Sequence, residues 1–147
     1  MTTIAPPEVK RVLIVDDHEG TRRLIRAVLE SERRAPYVVE EATTGAECLR
    51  MVDTQGPFDL VLLDVTLPDM DGFATCRALR SVHDDFPIVF LSAQSDLASF
   101  QASVAAGGDS YLAKPIDRSA LISAARLFTR MSRRIAPAVA RAAPGEP

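Results

Sequence analysis

The sequence predicts an α/β protein built on a parallel sheet. Short runs rich in Val, Ile and Leu alternate with helical patterns, the arrangement of βαβ units. Three prolines stand just ahead of runs, and chemically reactive side chains stand just after them. In an open parallel sheet, ligands bind outside the carboxyl ends of the strands. The residues closing the runs, Asp16-Asp17, Asp64, Ser92 and Lys114, are therefore placed on one rim, where chemistry is expected.

In chain order, Val12 to Val15 reads as the first strand, and Leu24, Ile25, Val28 and Leu29 form the apolar stripe of the first helix. Tyr37 to Val39 is the second strand, followed by a helix carrying Ala46, Leu49 and Val52. Leu60 to Leu63 is the third. Ile88 to Leu91 is the fourth, and Leu97, Phe100 and Val104 mark the helix after it. Tyr111 to Leu112 is the fifth, with a last helix running to about residue 134. Pro36, Pro57 and Pro87 precede the second, third and fourth strands, where no ladder donor is yet required. Pro68 and Pro115 instead stiffen the loops that carry Asp64 and Lys114.

One compact domain is expected over 10–134, flanked by a short disordered segment at 1–9 and an Ala/Pro-rich flexible tail at 135–147 with no output domain. A domain of this size buries roughly 68–70% of its unfolded surface. Formal charge is -3, from 17 basic and 20 acidic residues, which is not the footprint of a general nucleic-acid binder. No apolar stretch approaches the ~18 residues of a membrane span, and Met1 to Val9 lacks the order of a signal peptide. A cytoplasmic protein without membrane insertion is the expectation. Cys48 and Cys76 form neither a CxxC nor a His cluster and read as reduced packing residues.

An Asp-Asp pair after a strand is equally what caps the next helix or fills a solvated turn. Asp64 on the same rim adds a third carboxylate. At ~4 Å and an effective dielectric of ~20, each charged pair repels by about 4 kcal/mol, so such a cluster calls for protonation or a cation. Oxygen ligands suit a hard divalent ion such as Mg²⁺. Lys114, read alone, is a surface lysine; read on this rim, it is a point charge for a transferred phosphoryl group. Ser92 is either a turn hydroxyl or a donor to a phosphoryl oxygen, with the small Ala93 beside it. His18 is a candidate to join the metal site, but the expectation is that it faces solvent at the start of the first helix. His83, next to Asp84 and Asp85, is expected at a solvated helix end.

The chain resembles a response-regulator receiver domain of the single-domain, chemotaxis-regulator-like type. The resemblance rests on Val12-Leu13-Ile14-Val15-Asp16-Asp17-His18, on Asp64-Val65-Thr66-Leu67-Pro68-Asp69-Met70-Asp71-Gly72, on Leu91-Ser92-Ala93 and on Tyr111-Leu112-Ala113-Lys114-Pro115. These occur in the family's order and approximate spacing and cover nearly all of the expected domain. It implies a doubly wound, flavodoxin-like (βα)5 sandwich with strand order 2-1-3-4-5. It implies Asp64 as the phosphoacceptor, Mg²⁺ bound directly by Asp17 and Asp64, with Asp16 acting through water and the Thr66 carbonyl as a further ligand. Lys114 would contact the phosphoryl group, with a cis peptide to Pro115. Ser92 and Tyr111 would be the switch pair. Tyr111 would turn into the space that Ser92 leaves, re-shaping the face made by the fourth helix, fifth strand and fifth helix. The bland reading of Tyr111 is a strand residue with its hydroxyl in water.

The resemblance implies a bacterial two-component signalling protein that takes its phosphoryl group from a sensor histidine kinase or histidine phosphotransfer protein. Its output would pass to a downstream protein target, with a homodimer possible on activation. The in-line attack of Asp64 would give an acyl phosphate, and the chain would be no enzyme beyond its own phosphorylation and dephosphorylation. Leu67 replaces the methionine often found there, with little expected effect. Thr66 and Gln94 flank the path of hydrolytic water and should tune the acyl-phosphate lifetime.

Other readings compete. A phosphate-independent binding module of the same fold would lack phosphoryl uptake, and a receiver fragment of a longer regulator would carry its output elsewhere. A haloacid-dehalogenase-type phosphatase also uses a strand-end Asp with Mg²⁺, but wants Asp-x-Asp, and Thr66 stands at the second position. A dinucleotide enzyme is disfavoured because Val15-Asp16-Asp17 replaces the glycine-rich turn.

Two surfaces invite docking. Leu97 to Gly108 contains no charged residue, and Ser99, Ala102, Ser103 and Ala106 share a face of small side chains expected to receive a target or a second copy. Arg126, Arg130, Arg133 and Arg134 form a basic stripe on the last helix, either a plain solvated face or a contact for acidic groups. About 13 residues follow Arg134, too few for a folded nucleic-acid reader.

Overall fold

A computed structural model describes residues 8–33, 36–94 and 96–131. Within them the chain runs β1(Lys10–Val15), α1(Glu19–Glu30), β2(Tyr37–Ala42), α2(Gly45–Gln55), β3(Leu60–Asp64), α3(Gly72–Arg80), β4(Ile88–Ser92), α4(Leu97–Ala105), β5(Ser110–Ala113) and α5(Arg118–Met131). The strands form one parallel sheet of order β2-β1-β3-β4-β5. β1 pairs on one side with β2 (Val12 against Val39) and on the other with β3 (Val12 against Leu60). The chain thus turns outward in both directions from β1. That is the doubly wound topology, with its switch point between β1 and β3.

Alternation along each strand divides the core in two. Leu13, Val15, Val61, Leu63, Ile88 and Phe90 point to one face with Cys48, Met51 and Val52 of α2 and Cys76 and Leu79 of α3. Val12, Ile14, Leu60, Leu62, Val89 and Leu91 point to the other, against Ile25, Val28 and Leu29 of α1 and Leu121, Ala125 and Phe128 of α5. Burial on both faces explains why β1, β3 and β4 read as unbroken apolar runs. Each such side chain contributes about 1.5–3 kcal/mol. The carbonyls of Pro36 and Pro87 accept from Lys10 and Val61, so these prolines extend the ladder while needing no donor.

The helix faces differ from the periodicity in three places. In α1 the stripe holds at Ile25, Val28 and Leu29, but Leu24 is exposed. In α2 the buried residues are Gly45, Cys48, Met51 and Val52, and Ala46 faces out. Its N-terminus is seated by Asp69, whose two carboxylate oxygens accept from the Gly45 and Ala46 N–H groups at 2.8 and 2.9 Å. Any side chain at position 45 would run into Met70.

In α4 the expectation is inverted. Leu97, Phe100 and Val104 are 68, 43 and 55% exposed, while Ser103 and Ala106 are buried. The Phe90 ring fills the layer beneath, edge-on to Phe73 at 5.0 Å and so near Gly108 that a Cβ there would strike it. Only small side chains fit between α4 and the sheet. The face of Ser99, Ala102, Ser103 and Ala106 is thus turned inward and is not the docking surface that the sequence suggests.

Both cysteines are free and buried, and burial pushes the Cys48 thiol up to about 12 and the Cys76 thiol up to about 11. They are packing residues. His83 is less solvated than expected, because its Nε2 lies 3.1 Å from Asp53 Oδ1 and its ring packs near Phe86. Arg126 bonds Glu32 at 2.6 Å, tying α5 to the segment after α1. Arg133, Arg134 and the segments 1–7 and 132–147 lie outside the described residues. Among the described residues, no helix is long and apolar enough to cross a membrane.

Candidate phosphoryl site

The ends of β1, β3, β4 and β5 bring the predicted residues together. Asp64 closes β3 opposite Leu91, and Ser92 closes β4 opposite Ala113. The ladder continues past the strand ends: Val65 N donates to the Leu91 carbonyl at 3.0 Å and Lys114 N to the Ser92 carbonyl at 2.8 Å. The backbone one residue beyond β3 and β5 is thus still tied into the sheet.

Lys114 Nζ stands 2.7 Å from Asp16 Oδ2 and 3.2 Å from Asp64 Oδ2. Asp16 is wholly buried, Asp64 nearly so, and Asp17 lies at the solvent edge. The other Asp64 oxygen, Oδ1, accepts from Thr66 N–H at 3.0 Å. Ser92 is buried and its Oγ accepts from Gln94 N–H at 3.0 Å. Thr66 and Gln94 are exposed at the mouth. The peptide from Lys114 to Pro115 is cis.

The electrostatics follow from burial. Desolvation, with Asp16 beside it, holds the Asp64 carboxyl above the usual carboxylate range, although Thr66 N–H and Lys114 pull it down. Burial also works against the Lys114 ammonium, but its contacts with Asp16 and Asp64 outweigh that and raise its pKa. One ammonium therefore serves two buried carboxylates, and Asp64 keeps an excess of unfavourable charge that a cation would relieve. One ligand atom from each of Asp16, Asp17, His18 and Asp64 lies within 4.8 Å of the others. Asp16 Oδ2 has the ammonium as its ion partner and no donor placed for a hydrogen bond. A carboxylate-rich donor set of this size fits a hard divalent ion.

Further supporting features emerge from the tertiary structure. Arg22 Nη1 donates to the Asp16 carbonyl at 2.8 Å while its Nε bonds Glu41 at 2.7 Å, fixing β1's end from α1. Asp69 anchors the loop after Asp64 to α2, and Gly72 N closes that loop on the Val65 carbonyl at 2.7 Å. A Cβ at Gly72 would collide with the Asp64 carbonyl, so the glycine is the signal that this turn is tight. Tyr111 is half-buried with its ring 5.6 Å from Phe100, a partner hidden because Phe100 reads as core. His18 has a largely exposed ring, as expected, yet its Nδ1 faces Asp16 Oδ1 at 3.2 Å.

Comparison with known proteins agrees with this geometry. The model of the response regulator receiver domain matches residues 12–126. Response regulator MprA of Mycobacterium ulcerans is 37% identical over 123 residues, which are 84% of this chain and 51% of that protein. MprA of Mycobacterium leprae is 38% identical over 123 residues, 84% of this chain and 52% of that protein. The chain thus spans about half the length of these curated relatives. Among solved structures, a CheY-like receiver domain protein of Methanospirillum hungatei shares 28% identity at a TM-score of 0.76, covering 84% of this chain and 95% of that one. The chemotaxis response regulator CheY4 of Vibrio cholerae shares 29% at 0.75, covering 82% and 99%. With the strand order, the rim and the matched span all in agreement, this chain belongs to the response-regulator receiver family, the phosphoacceptor modules of two-component signalling.

Proposed function

We propose that Asp64 is the phosphoacceptor, that Asp17, Asp64 and the Thr66 carbonyl hold Mg²⁺ with Asp16 acting through water, and that the donor is a sensor histidine kinase or phosphotransfer protein. The observation that carries this is the single Lys114 ammonium shared between two buried carboxylates beside a buried serine hydroxyl. When bound, the cation supplies positive charge to the phosphoryl oxygens.

The chain's own residues do the rest. Asp64, held by Thr66 N–H, presents an oxygen that forms a bond to phosphorus as the bond to the donor breaks on the far side. Lys114 neutralises an equatorial oxygen, and Ser92, whose Oγ accepts from Gln94 N–H, uses its free hydroxyl proton to donate to another. The product is an acyl phosphate on Asp64, carrying roughly -1.5 to -2 charges by analogy with other phosphorylated side chains. No separate substrate is turned over, and hydrolysis past Thr66 and Gln94 returns the free carboxylate.

The signal leaves through Tyr111. As Ser92 moves inward, Tyr111 turns into the space and leaves the Phe100 ring, changing a face of α4, β5 and α5 already rich in exposed apolar side chains. A downstream protein reads that face; a second copy of the chain is the other occupant to test. The free-standing messenger is one form of this reading. The double length of the curated relatives favours a second, in which the receiver is coupled to a further domain.

The test is intact mass after incubation with Mg²⁺ and acetyl phosphate, beside Asp64→Asn and a chelator control. An adduct only in metal-containing wild type supports the proposal. A folded, metal-loaded wild type without adduct refutes it and leaves a phosphate-independent binding module.

A further inference from the structure

His18 occupies the N-cap of α1, where Ser, Thr, Asp or Asn is preferred because a short side chain accepts from a free N–H of the first turn. The His18 side chain makes no such bond. Its ring is turned back over the rim instead, with Nδ1 3.2 Å from Asp16 Oδ1 and 3.3 Å from Asp17 Oδ1. Its own backbone N–H donates to that same Asp16 oxygen at 2.8 Å, fixing the residue beside the carboxylate its ring faces. The ring is 68% exposed, so an approaching ion meets it without burying it.

The Asp16 contact is a hydrogen-bond distance, and the Asp17 contact is also the spacing of neighbouring ligands. An octahedral ion with bonds of about 2.1 Å keeps adjacent donors about 3 Å apart and opposite donors about 4.2 Å apart. The Nδ1 separation from Asp17 matches adjacent positions, and Asp16, facing the same Nδ1, keeps its water-bridged place. The set of Asp16, Asp17, His18 and Asp64 lies within 4.8 Å, wider than opposite donors allow, so the exposed His18 ring and Asp17 must draw in on an ion. The donor type then decides which ion gains. Mg²⁺ is best served by oxygen and water, and an imidazole nitrogen offers it little. The first-row series from Mn²⁺ upward binds nitrogen progressively better.

We propose that His18 Nδ1 is a metal ligand of the phosphoryl site, giving this chain a preference for a first-row transition dication such as Mn²⁺ over Mg²⁺. The proposal rests on the reading of the rim as a divalent-cation site. Mg²⁺ in excess still fills that site; His18 makes Mn²⁺ the tighter occupant.

The test uses the full chain and Mn²⁺ alone, without phosphoryl donor. Pulsed electron paramagnetic resonance of the bound ion reads nitrogen coupling, and competition dialysis gives the Mn²⁺ and Mg²⁺ dissociation constants. Two variants are compared: His18→Phe, which keeps the ring volume, and His18→Ser, which supplies a good helix cap. The expected result is nitrogen coupling in wild type, its loss in both variants, and a fall of roughly tenfold in Mn²⁺-over-Mg²⁺ preference. Wild type that binds Mn²⁺ with no nitrogen coupling, or variants whose preference equals wild type's, would overturn the role of His18 alone. Wild type that binds neither ion would overturn the metal site itself.

Discussion

Neutralising Asp64 should stabilise the metal-free protein while removing its response to Mg²⁺. In Asp64→Asn the amide oxygen still accepts from Thr66 N–H, and Lys114 keeps Asp16 at 2.7 Å. The variant loses the attraction of Lys114, about 5 kcal/mol for charges 3.2 Å apart at an effective dielectric of ~20. It escapes the desolvation of a buried carboxylate and the repulsion of Asp16. The upward displacement of the Asp64 pKa means the second pair of effects is the larger. A gain of about 0.5–2 kcal/mol is the usual scale for relieving such a site.

The pH sign follows from the same displacement. The folded protein holds the Asp64 proton more tightly than the unfolded chain does. Wild-type stability therefore falls as pH rises from the ordinary carboxylate range through the raised value. The advantage of Asn is absent in acid and complete above it. Mg²⁺ at 100 times its dissociation constant should add about 2.7 kcal/mol to wild type. At about 4 °C per kcal/mol for about 120 residues, that is about 10 °C in Tm, against a much smaller shift in the variant. Thermal unfolding with and without Mg²⁺, at acid and neutral pH, measures all of this. An Asn variant less stable than wild type at neutral pH without metal, or one with the same Mg²⁺ gain, refutes the reasoning.

Lys114→Met leaves the Asp16 and Asp64 carboxylates without their cation and should cost about 2–4 kcal/mol in metal-free urea unfolding at neutral pH. Because the lysine pKa is raised, wild type and variant should converge as alkaline pH passes that value, and the difference should also narrow in acid as Asp64 takes up its proton. Ser103→Leu should cost about 1–3 kcal/mol by crowding the small-residue layer of α4, while Leu97→Ser on the opposite face should stay within about 0.5 kcal/mol; equal costs would contradict the inverted helix. Asp69→Ala removes both bonds to the α2 N-terminus and should lower Tm at neutral pH. Those bonds hold the Asp69 carboxyl below its ordinary range, so the difference should vanish as pH falls through it.

The helix faces show where periodicity is a safe guide. The stripe of α1 is legible because Ile25, Val28 and Leu29 pack on a part of the sheet with room for large side chains. The stripe of α4 misleads, because Phe90 takes that room and leaves space for Ser103 and Ala106 only. Nothing near residues 97–104 encodes this, since the deciding ring lies on another element. Asp69 likewise carries no signal of its part in seating α2. Its role depends on α2 approaching closely enough for Gly45 to lie against Met70.

By itself the sequence determined the strand cores, the α/β class with a parallel sheet and the identities on the rim: Asp16, Asp17, Asp64, Ser92 and Lys114 each end a run whose apolar pattern places it. Those are local properties, set by side-chain alternation and by where each strand stops. Only the tertiary structure decided which way α4 faces, that one ammonium is shared between two carboxylates, and that the His18 ring turns toward Asp16 and Asp17. Each of these depends on distances between or around elements, and on which group burial leaves uncompensated, and neither is written in the spacing along one segment.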